Sequence, residues 1–277
     1  MTMKLHIILL SKRNASMNQT FFYIFALLFS FSQSFAQDKS EFQKKEFIDA
    51  KGDTLRYRIL FPKNYDKTKK YPLVLFLHGA GERGRDNEKQ LTHGSKLFLK
   101  DEYREKYPAI ILAPQCPENQ YWASVKIDRG KMPLALDFNY EYDITHPLHA
   151  ALELTKTLIK NERVDKHRIY IMGLSMGGMG TFEAVYRQPK LFAAAIPICG
   201  GADAKAYTQK VAKVPFWLFH GDKDGVVEVR YSREMYARLQ ELKSDVKYTE
   251  CPGVNHNSWD NAFAEPVLFE WLFSKKK

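Results

Sequence analysis

The pentapeptide Gly173-Leu174-Ser175-Met176-Gly177 has the form G-x-S-x-G. It follows an apolar run at 168–172 that reads as a strand and precedes a helical pattern at 178–187. In that setting the pattern marks a serine raised on a sharp strand-to-helix turn. The flanking glycines remove side chains that would strike neighbouring backbone. The Ser175 hydroxyl then stands above a sheet edge, and the Met176 N–H points to where an oxyanion would form. The plainer reading of the same residues is a tight structural turn.

A serine hydroxyl is a weak nucleophile until a base takes its proton. For a nucleophile on such a turn, an acid and then a histidine follow in chain order. The apolar run 216–219 leads into His220-Gly221-Asp222-Lys223-Asp224-Gly225-Val226-Val227. Asp224 is the candidate acid, because it lies deeper in the loop with an apolar pair behind it. Asp222 competes, and its other reading is a turn former that bonds nearby backbone. His256 is the candidate base, in Gly253-Val254-Asn255-His256-Asn257-Ser258-Trp259, and no histidine follows it. Ser258 is a candidate helix cap. A second backbone donor is expected in Leu77-His78-Gly79-Ala80-Gly81-Glu82-Arg83-Gly84, where glycines let main chain approach a substrate. Ala80 N–H is the candidate, with Gly81 next. A phosphate cradle is disfavoured there, because G-x-x-x-x-G-K-[ST] is absent.

These loops need a scaffold. Apolar runs at 73–77, 109–113, 168–172, 193–198 and 216–219 read as strands buried on both faces. A hairpin turning at Lys51-Gly52-Asp53 precedes them, and 245–251 reads as a last strand. Helical patterns run to about Lys160 and over 178–187, 231–242 and 263–273. Alternation of these periods predicts an α/β fold with a mostly parallel sheet covered on both faces. Residues 116–146 fit neither period and read as an irregular insert of the kind that forms lids or binding loops.

The length suits one domain, and 45% hydrophobic content can fill one core. The net charge is +10; Lys4, Lys12 and Arg13 account for three of it, so without residues 1–36 it is +7. The basic residues are scattered rather than striped among aromatics, which argues against nucleic acid as a partner. Residues 1–36 read as a secretion signal: a basic start, an apolar run at 21–31, and Ser34-Phe35-Ala36 before a cut at Gln37. The run is short for a bilayer span, so no lasting membrane anchor is expected. Met17 is an alternative start. The expected location is the periplasm or outside the cell, with 37–277 as a single catalytic domain. Cys116, Cys199 and Cys251 are odd in number, and one disulfide of unspecified pairing is possible. No Cys/His spacing matches zinc.

On these motifs, together with Leu112-Ala113-Pro114-Gln115-Cys116-Pro117, the sequence resembles the α/β-hydrolase superfamily from about Tyr57 onward. More narrowly, it is similar to the branch near phospholipase/carboxylesterases, dienelactone hydrolases and feruloyl esterases. The resemblance implies Ser175, Asp224 and His256 as triad, and Ala80 and Met176 N–H groups as oxyanion hole. It implies ester hydrolysis with no metal or cofactor, on small-molecule or carbohydrate-linked esters. By the same analogy Gln115 and Trp122 border the pocket. Glu228 departs from the proline that relatives often carry after the paired valines. A serine peptidase and a non-catalytic binding protein on the same fold are the competing readings. A peptidase of prolyl oligopeptidase type would carry a propeller, for which the roughly 20 residues ahead of the fold are too few.

Overall fold

The apolar runs form the middle of an eight-stranded sheet in a computed structural model that describes residues 39–277. The expected leader lies outside the described residues. The strands are β1 (Gln43–Ile48), β2 (Thr54–Leu60), β3 (Tyr71–Leu77), β4 (Ile110–Pro114), β7 (Val164–Leu174), β8 (Ala194–Ile198), β9 (Phe216–Gly221) and β10 (Val246–Cys251). Their order across the sheet is β1-β2-β4-β3-β7-β8-β9-β10. β1 and β2 form the antiparallel hairpin, with Gly52 at φ 85° in its turn, and β2 runs antiparallel to β4. From β4 to β10 every pairing is parallel. The N-terminal hairpin and the covered parallel sheet are those of an α/β-hydrolase fold.

Alternate residues of each central strand enter opposite cores, as a period of two requires. Leu73, Leu75 and Leu77 of β3 pack to one side, and Val74 and Phe76 to the other. The first side is covered by α3 (His146–Asn161), α4 (Met176–Arg187) and α5 (Arg230–Glu241), through Leu148, Phe182, Val185, Met235 and Leu239. The second is covered by α1 (Ser95–Leu99), α2 (Asp101–Lys106), α6 (Trp259–Ala264) and α7 (Leu268–Ser274). Residues Phe42–Lys277 form one compact unit. Among the described residues no helix is long and apolar enough to cross a membrane.

Three expectations need correction. The last helical pattern is two helices, because Pro266 lacks an N–H and Glu265 before it is extended (φ −65°, ψ 114°). The segment 116–146 is not wholly irregular: β5 (Val125–Asp128) and β6 (Ala135–Phe138) form a small antiparallel hairpin. Cys116, Cys199 and Cys251 are separate buried thiols, with no pair joined.

The insert is fastened to α4 by buried Glu183. Its carboxylate accepts from Ser124 N–H (2.5 Å), Ser124 Oγ (3.0 Å) and Arg187 Nε (3.1 Å). Burial raises the Glu183 pKa, against the lowering effect of these donors. Glu183→Ala leaves buried donors unmet and is expected to cost about 2–4 kcal/mol in urea unfolding. Glu183→Gln, which keeps one acceptor oxygen, is expected to cost less; equal losses in the two variants would refute the anchoring role.

Candidate active site

Parallel strands bring their C-terminal ends to one edge of the sheet, and the loops that leave that edge meet there. The loop after β3 carries Ala80, the turn after β7 carries Ser175, and the loops after β9 and β10 carry Asp224 and His256. Ser175 and His256, which meet there, are 81 residues apart in the chain.

Ser175 has φ 54° and ψ −116°, a backbone conformation that L residues rarely adopt. Its hold is steric and hydrogen bonded. A Cβ on Gly177 would collide with the Leu77 carbonyl oxygen, and one on Gly173 with the Gly177 carbonyl oxygen. Ser175 N–H donates to Ile198 O (2.8 Å), and Met179 N–H to Ser175 O (3.0 Å). The turn is thus fixed between β3 and β8.

The Ser175 hydroxyl lies 2.9 Å from His256 Nε2, and His256 Nδ1 lies 2.8 Å from Asp224 Oδ2. The arrangement suits an imidazole with its proton on Nδ1: that N–H donates to the carboxylate, leaving Nε2 to accept from the serine. Asp224 Oδ1 accepts the N–H groups of Val226 and Val227, both at 2.9 Å. Burial alone would raise the Asp224 pKa. The hydrogen bonds from His220 and His256, the charge of His256 and the loop N–H groups outweigh it, and the pKa falls well below the usual carboxylate range.

Asp222 does not reach His256. Its Oδ1 accepts Gly253 N–H (2.6 Å), so it ties the Asp224 loop to the His256 loop rather than bonding its own turn. Asn255 does the same through one oxygen that accepts Gly225 N–H (2.9 Å) and His256 N–H (2.8 Å). Sequence reasoning gave neither residue this role. Nor did it give one to His220, whose Nε2 lies 3.1 Å from Asp224 Oδ2. Ser258 sits at the start of α6 but makes no side-chain cap bond. Glu228 faces Arg230 at 2.6 Å on the surface.

The loop after β3 is held by His78. Its Nδ1–H donates to Gly79 O (2.7 Å), and its Nε2 accepts Cys116 N–H (2.9 Å). Burial lowers its pKa to about 4, so the ring is neutral and the tautomer fixed. Arg83 Nε–H donates to Ala80 O (2.9 Å). Ala80 opens a short 3-10 turn and Met176 opens α4. The first N–H groups of a helix have no acceptor within it.

A cavity of about 290 Å³ joins these parts, lined by residues that include Ala80, Glu82, Tyr121, Arg129, Ser175, His256 and Trp259. Gln115 and Trp122 do not border it. Trp122 is fully buried, with its indole N–H donating to His78 O (3.1 Å). Gln115 accepts Asn87 N–H (2.7 Å) and donates to Asp86 (2.9 Å). Among the insert residues that face the cavity is Tyr121, the neighbour of Trp122. Sequence order could not say which of the two rings turns inward.

Among the described residues two clusters could hold a metal ion on distance alone, with ligand atoms within 4.8 Å: Cys199, Asp224 and His256; and Asp49, Asp53 and His146. In the first, Asp224 and His256 are bonded to each other, and burial keeps the Cys199 thiol protonated. In the second, His146 Nε2 lies between Asp49 (2.6 Å) and Asp53 (3.3 Å) at the hairpin turn.

The family profile described as Phospholipase/Carboxylesterase matches residues 64–266. A solved thermostable esterase is 37% identical and superposes with a TM-score of 0.77; the match covers 86% of this chain and 64% of that one. Mouse lysophospholipase-like protein 1 is 24% identical over 73% of this chain and 86% of its own length. An uncharacterized secreted protein of Arthroderma benhamiae is 25% identical over 70% of this chain; the match spans 22% of that longer protein.

Because folding lowers the Asp224 pKa, its ionised form stabilises the fold above the unfolded value of about 3.9, and that contribution is lost as pH falls below it. The melting temperature is expected to drop between about pH 4 and pH 2, and Asp224→Asn to show a shallower drop over the same range. Parallel acid melting curves for the two proteins would contradict the charged network around Asp224.

Proposed function

The chain belongs to the phospholipase/carboxylesterase family of α/β-hydrolases, and from that premise we propose that it is an exported serine esterase acting through Ser175, His256 and Asp224. Ester hydrolysis is the activity of the family's carboxylesterase branch. The observation that carries the assignment of residues is the single imidazole that bridges Ser175 and Asp224 at 2.9 and 2.8 Å.

In this mechanism Ser175 Oγ attacks the ester carbonyl carbon as its proton passes to His256 Nε2. The carbonyl oxygen becomes an oxyanion held by the Ala80 and Met176 N–H groups. The C–O bond to the alcohol breaks, and the leaving oxygen takes the proton from His256. Water then attacks the acyl-serine, giving its proton to the same nitrogen. The acid is released and Ser175 regains its hydrogen. Asp224 stays ionised throughout and stabilises the imidazolium through Nδ1–H.

The preferred substrate in this reading is an acyl ester of a polar, carbohydrate-like alcohol. Support comes from the cavity wall, where the aromatic rings of Tyr121 and Trp259 stand among Glu82, His93 and Arg129. Flat rings cover apolar sugar faces, while charged and imidazole groups bond hydroxyls. Export is supported by the leader pattern at 1–36, with its cut placed before Gln37. The mass of the mature N-terminus checks it.

Ser175→Ala is expected to lower kcat on an aryl acetate by about 10⁴-fold or more while leaving the circular dichroism spectrum intact. Undiminished turnover would rule out the nucleophile. Against aryl, acetyl-sugar and feruloyl-sugar esters and aminoacyl anilides, the wild type is expected to act on the esters. Activity confined to the anilides would make the protein a peptidase instead.

A further inference from the structure

His220 is the last but one residue of β9 and is fully buried, a costly place for an imidazole unless both nitrogens are engaged. Both are. Nε2 lies 3.1 Å from Asp224 Oδ2 and 2.9 Å from Val227 O. Nδ1 lies 2.7 Å from Ser232 Oγ in α5. Asp224 Oδ2 and Val227 O are both acceptors, so the Nε2 position must carry a proton. In the neutral ring, Nδ1 accepts from the Ser232 hydroxyl. In the charged ring, Nδ1–H would donate to Ser232 Oγ, whose hydrogen would turn to Gly200 O at 3.3 Å. In either state the N–H aimed at Asp224 is kept.

The oxygen that His220 touches is the one that accepts the His256 Nδ1–H hydrogen bond. Asp224 Oδ2 has His256 Nδ1 at 2.8 Å and His220 Nε2 at 3.1 Å. The other oxygen is fixed by Val226 and Val227. The carboxylate therefore has donors on both oxygens and cannot rotate without breaking one.

We propose that His220 is a positioning residue for the ester hydrolysis. It orients Asp224 Oδ2 toward His256 Nδ1–H and takes up part of the charge on that oxygen. The proposal rests on the reading of Ser175, His256 and Asp224 as the triad. The titratable and charged groups around the pair are few. Glu250 of β10 stands beside His220 across the parallel pairing and is held by Arg233 of α5. Cys199 at the end of β8 is a buried thiol near Asp224, and His256 is the partner itself.

Two substitutions separate positioning from packing. In His220→Gln the side-chain amide reaches the place of Nε2–H and keeps the bond to Asp224. In His220→Asn the amide reaches only the place of Nδ1, so it keeps Ser232 and loses Asp224. The Gln variant is expected to hold kcat within about threefold of wild type, and the Asn variant to lose about tenfold or more, with KM for an aryl acetate little changed in both. Without the His220 bond, more charge on Oδ2 faces His256 Nδ1–H and favours the imidazolium. The acid limb of kcat/KM for the Asn variant is then expected about half a pH unit higher. Equal kcat and superimposable pH profiles in the two variants would overturn the proposal. If either fails to fold, His220→Phe decides, since it fills the place of the ring and has no N–H for Asp224. A fall in kcat at constant KM supports the proposal, and wild-type kinetics overturn it. Undiminished activity in Ser175→Ala would instead remove the triad reading itself, so the two failures are distinguishable.

Discussion

Ser175 holds a backbone conformation with φ 54°, and the rest of the site is arranged around keeping it there. Such a residue costs about 1–3 kcal/mol and persists only where its surroundings over-determine it. Here they do so from three sides. The Leu77 carbonyl of β3 presses on Gly177, the Ile198 carbonyl of β8 takes the Ser175 N–H, and α4 starts at the next residue. The flanking glycines are demanded by contact with backbone, which cannot move aside as a side chain can. A parallel sheet supplies such rigid neighbours on both sides of β7.

Asp224 and His256 have no comparable steric lock, because both lie in loops. Their alignment comes from hydrogen bonds between the loops. Asp222 accepts from the His256 loop, Asn255 links the two loops, and Lys223 N–H donates to Val254 O at 3.0 Å. Most of these bonds use backbone donors, so their geometry follows the path of the chain. The buried Asp224 carboxylate is supported inside this clasp by four donors, which is why its ionised form survives burial.

What the sequence revealed follows the strength of each local signal. Strands β3, β4, β7, β8 and β9 were legible because burial on both faces makes them continuous apolar runs. The G-x-S-x-G turn was legible because its steric demand acts between near neighbours. The hairpin β5–β6 was not: four residues such as Val125-Lys126-Ile127-Asp128 give too short an alternation to stand out from a polar loop. The break at Pro266 was visible in composition but hidden by the apolar residues on both sides of it. Gln115 and Trp122 were misplaced because adjacency in the chain does not say which way a side chain turns. Asp222 and Asn255 have types common in loops, and only the tertiary meeting of two loops gives them a task, while His220 ends an apolar run that does not show its ring bonding back to Asp224 and Ser232.

The insert joins specificity to the same rigid support. Tyr121, Arg129 and Leu134 of the insert form one wall of the cavity, and Gly79, Ala80 and Gly81 lie in its lining with Ser175. That wall has little apolar core of its own; a small cluster of Ala123, Leu136, Met179, Val227 and Tyr231 sits beneath it. Met179 belongs to α4, and Glu183, which holds Ser124, lies one helical turn further along. The helix whose first residue follows Ser175 therefore also seats the wall that faces it. A shift of α4 would move Ser175 and the wall together, keeping their spacing. The insert sequence can then vary on its cavity side, at positions such as Tyr121 and Arg129, without disturbing the turn at Ser175. Its inward residues Ser124, Ala123 and Leu136 have no such freedom, since they are bonded or packed against Glu183 and Met179 of the helix that follows Ser175.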